Sequence, residues 1–122
     1  MAASKVGILG LGRIGRVVAA NLASEGFAVA AVRRPSTRDF VGTLQPDAAA
    51  LAAASDVVVS ALASEEQMEE AFLAPRGLVA GAHKDLIVLE MGTFPVALKR
   101  RLADALSPRG APMVYCPVSG RA

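Results

Sequence analysis

Tryptophan is absent from the 122 residues, while cysteine, histidine and tyrosine occur once each and phenylalanine four times. The lone Cys116 excludes an intrachain disulfide and a cysteine-based metal cluster, which favours a reducing compartment; no metal site is expected. With aromatics this scarce, no basic run is interleaved with stacking rings, so a nucleic-acid surface is not expected. No apolar stretch is long enough to span a bilayer, which argues against a membrane partner. The N-terminus lacks the basic segment and apolar run of a signal peptide, so the expected location is cytoplasmic. Eleven glycines and seven prolines are dispersed, leaving no repeat and no low-complexity segment.

What is abundant is small and apolar. Hydrophobic residues make up 53% of the chain, carried mainly by alanine, valine and leucine. Such residues suit close helix-on-sheet packing and buried parallel strands, which read as continuous apolar runs. The length is that of one domain, with enough chain to bury a core. The net charge of +2 is unevenly spread. Residues 1–41 carry six Lys/Arg against Glu25 and Asp39, and residues 42–73 carry no base and six acids. Residues 74–122 return to seven bases against three acids. A localised anionic ligand near the first third fits this distribution.

The patterning alternates between strands and helices. Val6–Leu9 reads as a strand ending in a glycine turn. Ile14, Val17, Val18 and Leu22 then recur at helical spacing from Arg13 to Glu25, and Gly26 supplies a stop. Phe27–Val32 reads as a second strand closed by Arg33, Arg34 and Pro35. Ser36–Val41 is expected to hold a helical turn, Thr43-Leu44 an edge strand and Pro46–Ala53 a small helix. Val57–Leu62 is a buried strand, and Ser64 to Gln67 has the capping-box pattern opening a helix with Met68, Ala71 and Phe72 inside. Pro75 closes that helix. Leu86–Met91 is a strand, Thr93 or Phe94 starts a helix that runs to Leu106, and Pro112–Val118 is the last strand. These elements predict an α/β, doubly wound Rossmann fold with a mostly parallel sheet. The expected order is 3-2-1-4-5-6, with the ligand crevice at the carboxyl ends of the strands.

The first crossover carries the clearest chemistry. Gly10, Gly12 and Gly15 occupy the G-x-G-x-x-G positions between a strand and an amphipathic helix. The first permits the tight turn, the second lets a pyrophosphate approach the backbone, and the third lets helix and strand lie close. Gly10, Leu11, Gly12, Arg13, Ile14 and Gly15 are therefore candidate cofactor-binding residues, with the helix amides facing phosphate. An NAD site places an acid at the end of the second strand, roughly twenty residues on, for the ribose 2′-hydroxyl. Arg33 and Arg34 stand there instead. Their guanidinium groups favour a 2′-phosphate, so NADP is expected over NAD.

The stretch Gly10–Gly26, GLGRIGRVVAANLASEG, resembles the opening of the β-hydroxyacid dehydrogenases, the family of 3-hydroxyisobutyrate and 6-phosphogluconate dehydrogenases. Their signature there is G-L-G-x-M-G-x-x-M-A-x-N-L-x-x-x-G; Asn21-Leu22 and Gly26 fall in register, and Ile14 stands where methionine is common. In NADP-using members the second strand ends in Asn-Arg-Thr, so Arg34 matches the phosphate-binding arginine and Arg33 replaces the asparagine. Ser60 to Ser64 is similar to the family's cofactor-facing loop, which makes Leu62 and Ala63 candidate contacts. Glu90 to Pro95 resembles the segment Asp-x-Ser-Thr-x-x-Pro; Thr93 would be the nicotinamide-side contact, and Gly92 departs from the serine. Cys116-Pro117-Val118-Ser119-Gly120 resembles the substrate-binding Asp-Ala-Pro-Val-Ser-Gly-Gly, implying that Ser119 and Gly120 bind a substrate carboxylate. Tyr115 stands for the aspartate, Cys116 for the alanine and Arg121 for the second glycine.

The resemblance implies an NADP-dependent oxidoreductase that moves hydride between nicotinamide and a small 3-hydroxy acid or its carbonyl partner. Family chemistry needs a lysine in a Gly-x-x-x-Lys-x-x-Asn context from a following helical domain. That domain is expected to be absent here, residues 1–122 being the NADP-binding Rossmann domain. Lys5, Lys84 and Lys99 are the only lysines. Gly81 to Lys84 is one residue short of the spacing and runs into a strand, so Lys84 is rejected and no catalytic residue is assigned. His83 reads as a solvated loop residue, Cys116 as a buried packing residue, and Glu65 to Glu70 as a solvated helix face. An imine-reductase nucleotide domain and a non-catalytic NADP sensor are the alternatives. The expected partners are a small carboxylate substrate and further copies of the chain in a homo-oligomer, since a domain without its interdomain helix leaves an apolar edge.

Overall fold

The computed structural model describes residues 5–37 and 39–117. Among them six strands, β1 (Lys5–Leu9), β2 (Ala28–Val32), β3 (Thr43–Gln45), β4 (Val57–Ser60), β5 (Ile87–Glu90) and β6 (Met113–Tyr115), form one sheet. Their order is β3-β2-β1-β4-β5-β6, and every pairing is parallel. This is the doubly wound order expected from the alternating pattern. It reverses between β1 and β4, where a crevice opens at the carboxyl ends of the strands.

Among the described residues five α-helices cross between the strands: α1 (Arg13–Ser24), α2 (Ala48–Ala53), α3 (Glu65–Leu73), α4 (Leu78–Gly81) and α5 (Val96–Leu106). Side chains alternate between the faces of each strand and feed two cores. On one face Leu9, Val58 and Val88 meet Leu51 of α2, Phe72 of α3 and Leu102 of α5. Leu51, Phe72 and Leu102 are fully enclosed, and each contributes about 2 kcal/mol by leaving water. On the other face Val6, Ile8, Val29 and Val59 meet Ala19 of α1. Among the described residues, α1 is the only helix in that second core. Ile87, beside Val57, is accordingly 41% exposed, and Val114, beside Leu89, is 44% exposed.

The buried side of α1 differs from the sequence expectation. Gly15 and Ala19 are buried and Val18 and Leu22 half-buried, whereas Ile14 and Val17 point largely to solvent. A side chain on Gly15 would collide with the Gly10 carbonyl oxygen. The glycine must therefore face β1, and that sets the rotation of the helix and turns the bulkier residues outward.

Several boundaries also shift. β4 stops at Ser60 rather than Leu62, because Ala61 leaves the sheet to lie against Gly10. β5 is shorter than Leu86–Met91, and the Leu86 amide bonds instead to the His83 carbonyl in a turn. α5 opens at Val96, with Pro95 as its N-cap, rather than at Thr93 or Phe94. The turn after β2 is a 3₁₀ turn at Pro35–Thr37, narrower than expected. The small helix after Pro46 starts at Ala48, because the Asp47 carboxylate accepts the Ala50 N–H at 2.8 Å and acts as its N-cap. α4 was not anticipated, since four residues are too few to show a period. β6 covers only Met113–Tyr115 and is an edge strand, which leaves Cys116 exposed instead of buried. Ser64 caps α3 as expected by accepting the Gln67 N–H, but Gln67 reaches back to the Ala63 amide rather than to Ser64. No helix among the described residues is long and apolar enough to cross a membrane.

Candidate functional site

β1 delivers the chain into a turn that only glycine can make. Gly10 has φ +99°, and a Cβ there would lie 2.6 Å from the Ala61 carbonyl oxygen. Gly12 is the N-cap of α1, in extended conformation, with no side chain capping the helix and no acid in its first turn. The Arg16 N–H bonds back to the Gly12 carbonyl at 3.0 Å. The amides of Arg13, Ile14 and Gly15 have no intrahelical acceptor, and with the positive end of the helix dipole they form an anion-attracting terminus. A Cβ on Gly12 would meet nothing within 4 Å. The space in front of the helix is open.

A cleft of about 1030 Å³ lies there. Gly10, Leu11 and Gly12 form one wall, Leu62 and Ala63 another, and Arg34 and Thr37 stand at the end of β2. Six of the residues selected from sequence are thus brought together. Arg33 lines a neighbouring hollow of about 260 Å³ that it shares with Arg34 and Arg76. Arg13, Ile14 and Gly15 belong to the helix terminus and do not line the cleft, and neither does the exposed Thr93. Ser119 and Gly120 lie outside the described residues.

Thr37 was missed by sequence reasoning. Its buried hydroxyl accepts the Arg34 N–H at 2.9 Å and donates to the Arg34 carbonyl at 2.7 Å, fixing the backbone that carries the arginine. The signal was the Pro-Ser-Thr run after the arginines, a composition that favours side-chain-closed turns. Glu66, Gln67 and Glu70 of α3 also line the cleft, so part of the acidic run faces the site rather than bulk solvent. Glu69 lines it as well and pairs with Arg101 of α5, which leaves Glu65 as the acid of the run outside the cleft.

A second polar cluster sits at the end of β5. Glu90 is fully buried and accepts the Gly92 N–H through Oε1, while Oε2 has no hydrogen-bond partner among the described residues. The neighbouring Ser60 hydroxyl is turned to Met68 Sδ at 3.6 Å. Burial raises the Glu90 carboxyl above its usual range, against the opposing pull of the Gly92 N–H, the Lys99 ammonium and Ser60.

His83 is not a solvated loop residue. It is half-buried, with Nε2 3.0 Å from the Ser55 carbonyl and Nδ1 accepting the Asp85 N–H. Both contacts suit the Nε2-protonated tautomer and tie the loop before β5 to the end of α2. Among the described residues no three His, Cys, Asp or Glu side chains group as metal ligands.

A parallel sheet in this order, with an uncapped glycine turn facing a cleft at the strand reversal, defines a nicotinamide dinucleotide-binding domain of Rossmann type. The chain belongs to the family of the NAD binding domain of 6-phosphogluconate dehydrogenase, matched over residues 5–122. It is 30% identical to an uncharacterized oxidoreductase, YfjR, of Bacillus subtilis, over 96% of this chain and 43% of that protein. It is 29% identical to an NAD-dependent L-serine dehydrogenase of Pseudomonas aeruginosa, over 95% of this chain and 41% of that protein. Among solved structures, that of Psf3 in complex with NADP+ and 2-OPP superposes with TM-score 0.85 at 30% identity, covering 94% of this chain and 43% of that one. The chain thus spans well under half the length of the relatives it matches.

The Glu90 environment yields a pH prediction. A carboxyl raised above its ordinary 4.5 keeps its proton to higher pH in the folded chain than in the unfolded one. Its contribution to stability is therefore greatest below that value and declines as pH rises through the raised one. Glu90→Gln removes the dependence. Urea unfolding of both proteins should show the wild type losing ground to the variant as pH rises above 4.5. A stability difference that does not change with pH would contradict a buried, proton-retaining carboxyl.

Proposed function

We propose that this chain is the NADP-binding domain of a cytoplasmic β-hydroxyacid dehydrogenase. The enzyme would transfer hydride between nicotinamide and a small 3-hydroxy acid or its carbonyl partner. One observation carries the cofactor choice. Arg34 stands in the cleft at the end of β2, where an NAD site would present an acid to the ribose. Thr37 holds the Arg34 backbone, so the guanidinium starts from a fixed base. Psf3, at 30% identity, holds NADP+, which supports the reading. The serine dehydrogenase uses NAD, so within the family the choice rests on local residues.

The remaining roles follow the cleft from end to end. The α1 amides behind Gly12 would receive the pyrophosphate, and Leu62 and Ala63 would flank the bound dinucleotide. Thr93 would meet the nicotinamide, and Ser119 and Gly120 the substrate carboxylate. Bound cofactor supplies the hydride. The relatives are more than twice as long as this chain, and we place the proton-transferring lysine in their additional length.

Calorimetric titration tests the cofactor reading. NADPH should bind more tightly than NADH, and Arg34→Ala should weaken NADPH by about ten- to a hundredfold while leaving NADH nearly unchanged. Tighter NADH binding by the wild type would contradict the arginine argument.

We further infer that copies of the chain associate through the sheet face that α1 leaves bare, where Ile87 and Val114 are exposed. Light scattering should give a mass that rises with concentration. A constant monomer mass at high concentration would overturn this.

A further inference from the structure

The turn between β5 and α5 is gripped at a single residue from two sides. Glu90 Oε1 accepts the Gly92 N–H at 2.5 Å, and Lys99 Nζ donates to the Gly92 carbonyl at 2.7 Å. The two side chains come from different elements, β5 and α5, and both are buried, with Glu90 at 0% and Lys99 at 6% exposure. Lys99 is further confined by the Tyr115 ring of β6, whose centroid lies 5.2 Å from Nζ. A Cβ on Gly92 would lie 2.7 Å from Glu90 Oε1 and collide with the Phe94 ring, so a side chain there must displace one of them.

Withdrawing a carboxyl and an ammonium from water is costly, and apolar side chains would fill the same volume without that cost. What the two groups do that apolar ones could not is satisfy and orient two consecutive peptides. The Gly92 carbonyl shares a rigid peptide plane with the Thr93 amide, so the Lys99 contact sets the direction in which Thr93 leaves the turn.

We propose that Glu90 and Lys99 are positioning residues that clamp Gly92 from both sides and thereby preset Thr93 for the nicotinamide end of the cofactor. This rests on the cofactor reading above, and its effect is confined to one end of the dinucleotide. The adenine end, at Arg34, lies across the cleft and does not share the clamp.

The test compares two ligands on the wild-type chain, Lys99→Met and Glu90→Gln. One is NADPH, and the other is 2′-phospho-ADP-ribose, which lacks the nicotinamide. Lys99→Met should weaken NADPH about tenfold and leave the fragment within about twofold. Glu90→Gln keeps an acceptor for Gly92 but loses the attraction to Lys99, so its loss of NADPH affinity should be smaller, about threefold. A packing role would move both ligands together or neither, and either result overturns the clamp. If Lys99→Met fails to fold, Glu90→Gln carries the same comparison. Amide hydrogen exchange at Gly92 supplies a readout free of any ligand, with protection expected in the wild type and faster exchange in the variants. If the wild type binds neither ligand, the cofactor reading falls alone, and Gly92 exchange unchanged by either substitution would overturn the clamp.

Discussion

The packing of Gly15 against the Gly10 carbonyl is the contact on which the rest of the site depends. No side chain fits between them, so α1 can approach β1 closely enough to aim its first amides at the crevice. The same contact fixes the rotation of α1, placing Ala19 inside and Ile14 and Val17 outside. A Cβ on Gly10 would meet the Ala61 carbonyl, so only glycine lets the turn pass this close to the chain leaving β4, whose Ala61 to Ala63 become the opposite wall of the cleft.

Around that frame the charged groups divide the crevice into ends with different chemistry. At the β2 end, Arg34 is mounted on a turn closed by the Thr37 hydroxyl. Arg76 nearby is held by Asp47 at 3.0 Å, which also caps α2. At the β5 end the charges are buried and hold backbone instead of facing the cleft. A guanidinium exposed to the cleft suits an incoming anion, whereas a buried ammonium bonded to a carbonyl suits a fixed turn. The fold thus exposes a basic side chain to the cleft on one side and uses another to hold backbone on the other.

Much of this was legible in the sequence. Strand order, parallel pairing and the glycine turn follow from short-range signals: apolar runs, a helical period and glycines at fixed offsets. Ser64 was readable as a cap because its partner lies three residues away. What was not readable depends on long-range neighbours. Ile14 and Val17 share a helical period with Val18 and Leu22, and only the contact at Gly15 decides which of them face solvent. Cys116 sits in an apolar-looking stretch, but its burial depends on whether another element covers the edge strand. His83, Glu90 and Lys99 carry their meaning through partners such as Ser55 and Gly92 that no local pattern announces. Thr37 lies only three residues from Arg34, so its hydroxyl is a local signal within reach of the sequence.

The claim that the glycine turn is a pyrophosphate cradle can be separated from any claim about folding. A Cβ at Gly12 would touch nothing within 4 Å of the protein, and the φ there, −78°, is open to any residue. Gly12→Ala should therefore leave the urea midpoint of unfolding essentially unchanged while its methyl group occupies the space a phosphate needs. The decisive measurement is NADPH titration and unfolding of Gly12→Ala beside the wild type. The account predicts wild-type stability with binding lost or weakened at least a hundredfold, an effect of roughly 3 kcal/mol. Undiminished NADPH binding by a fully folded Gly12→Ala variant would contradict it.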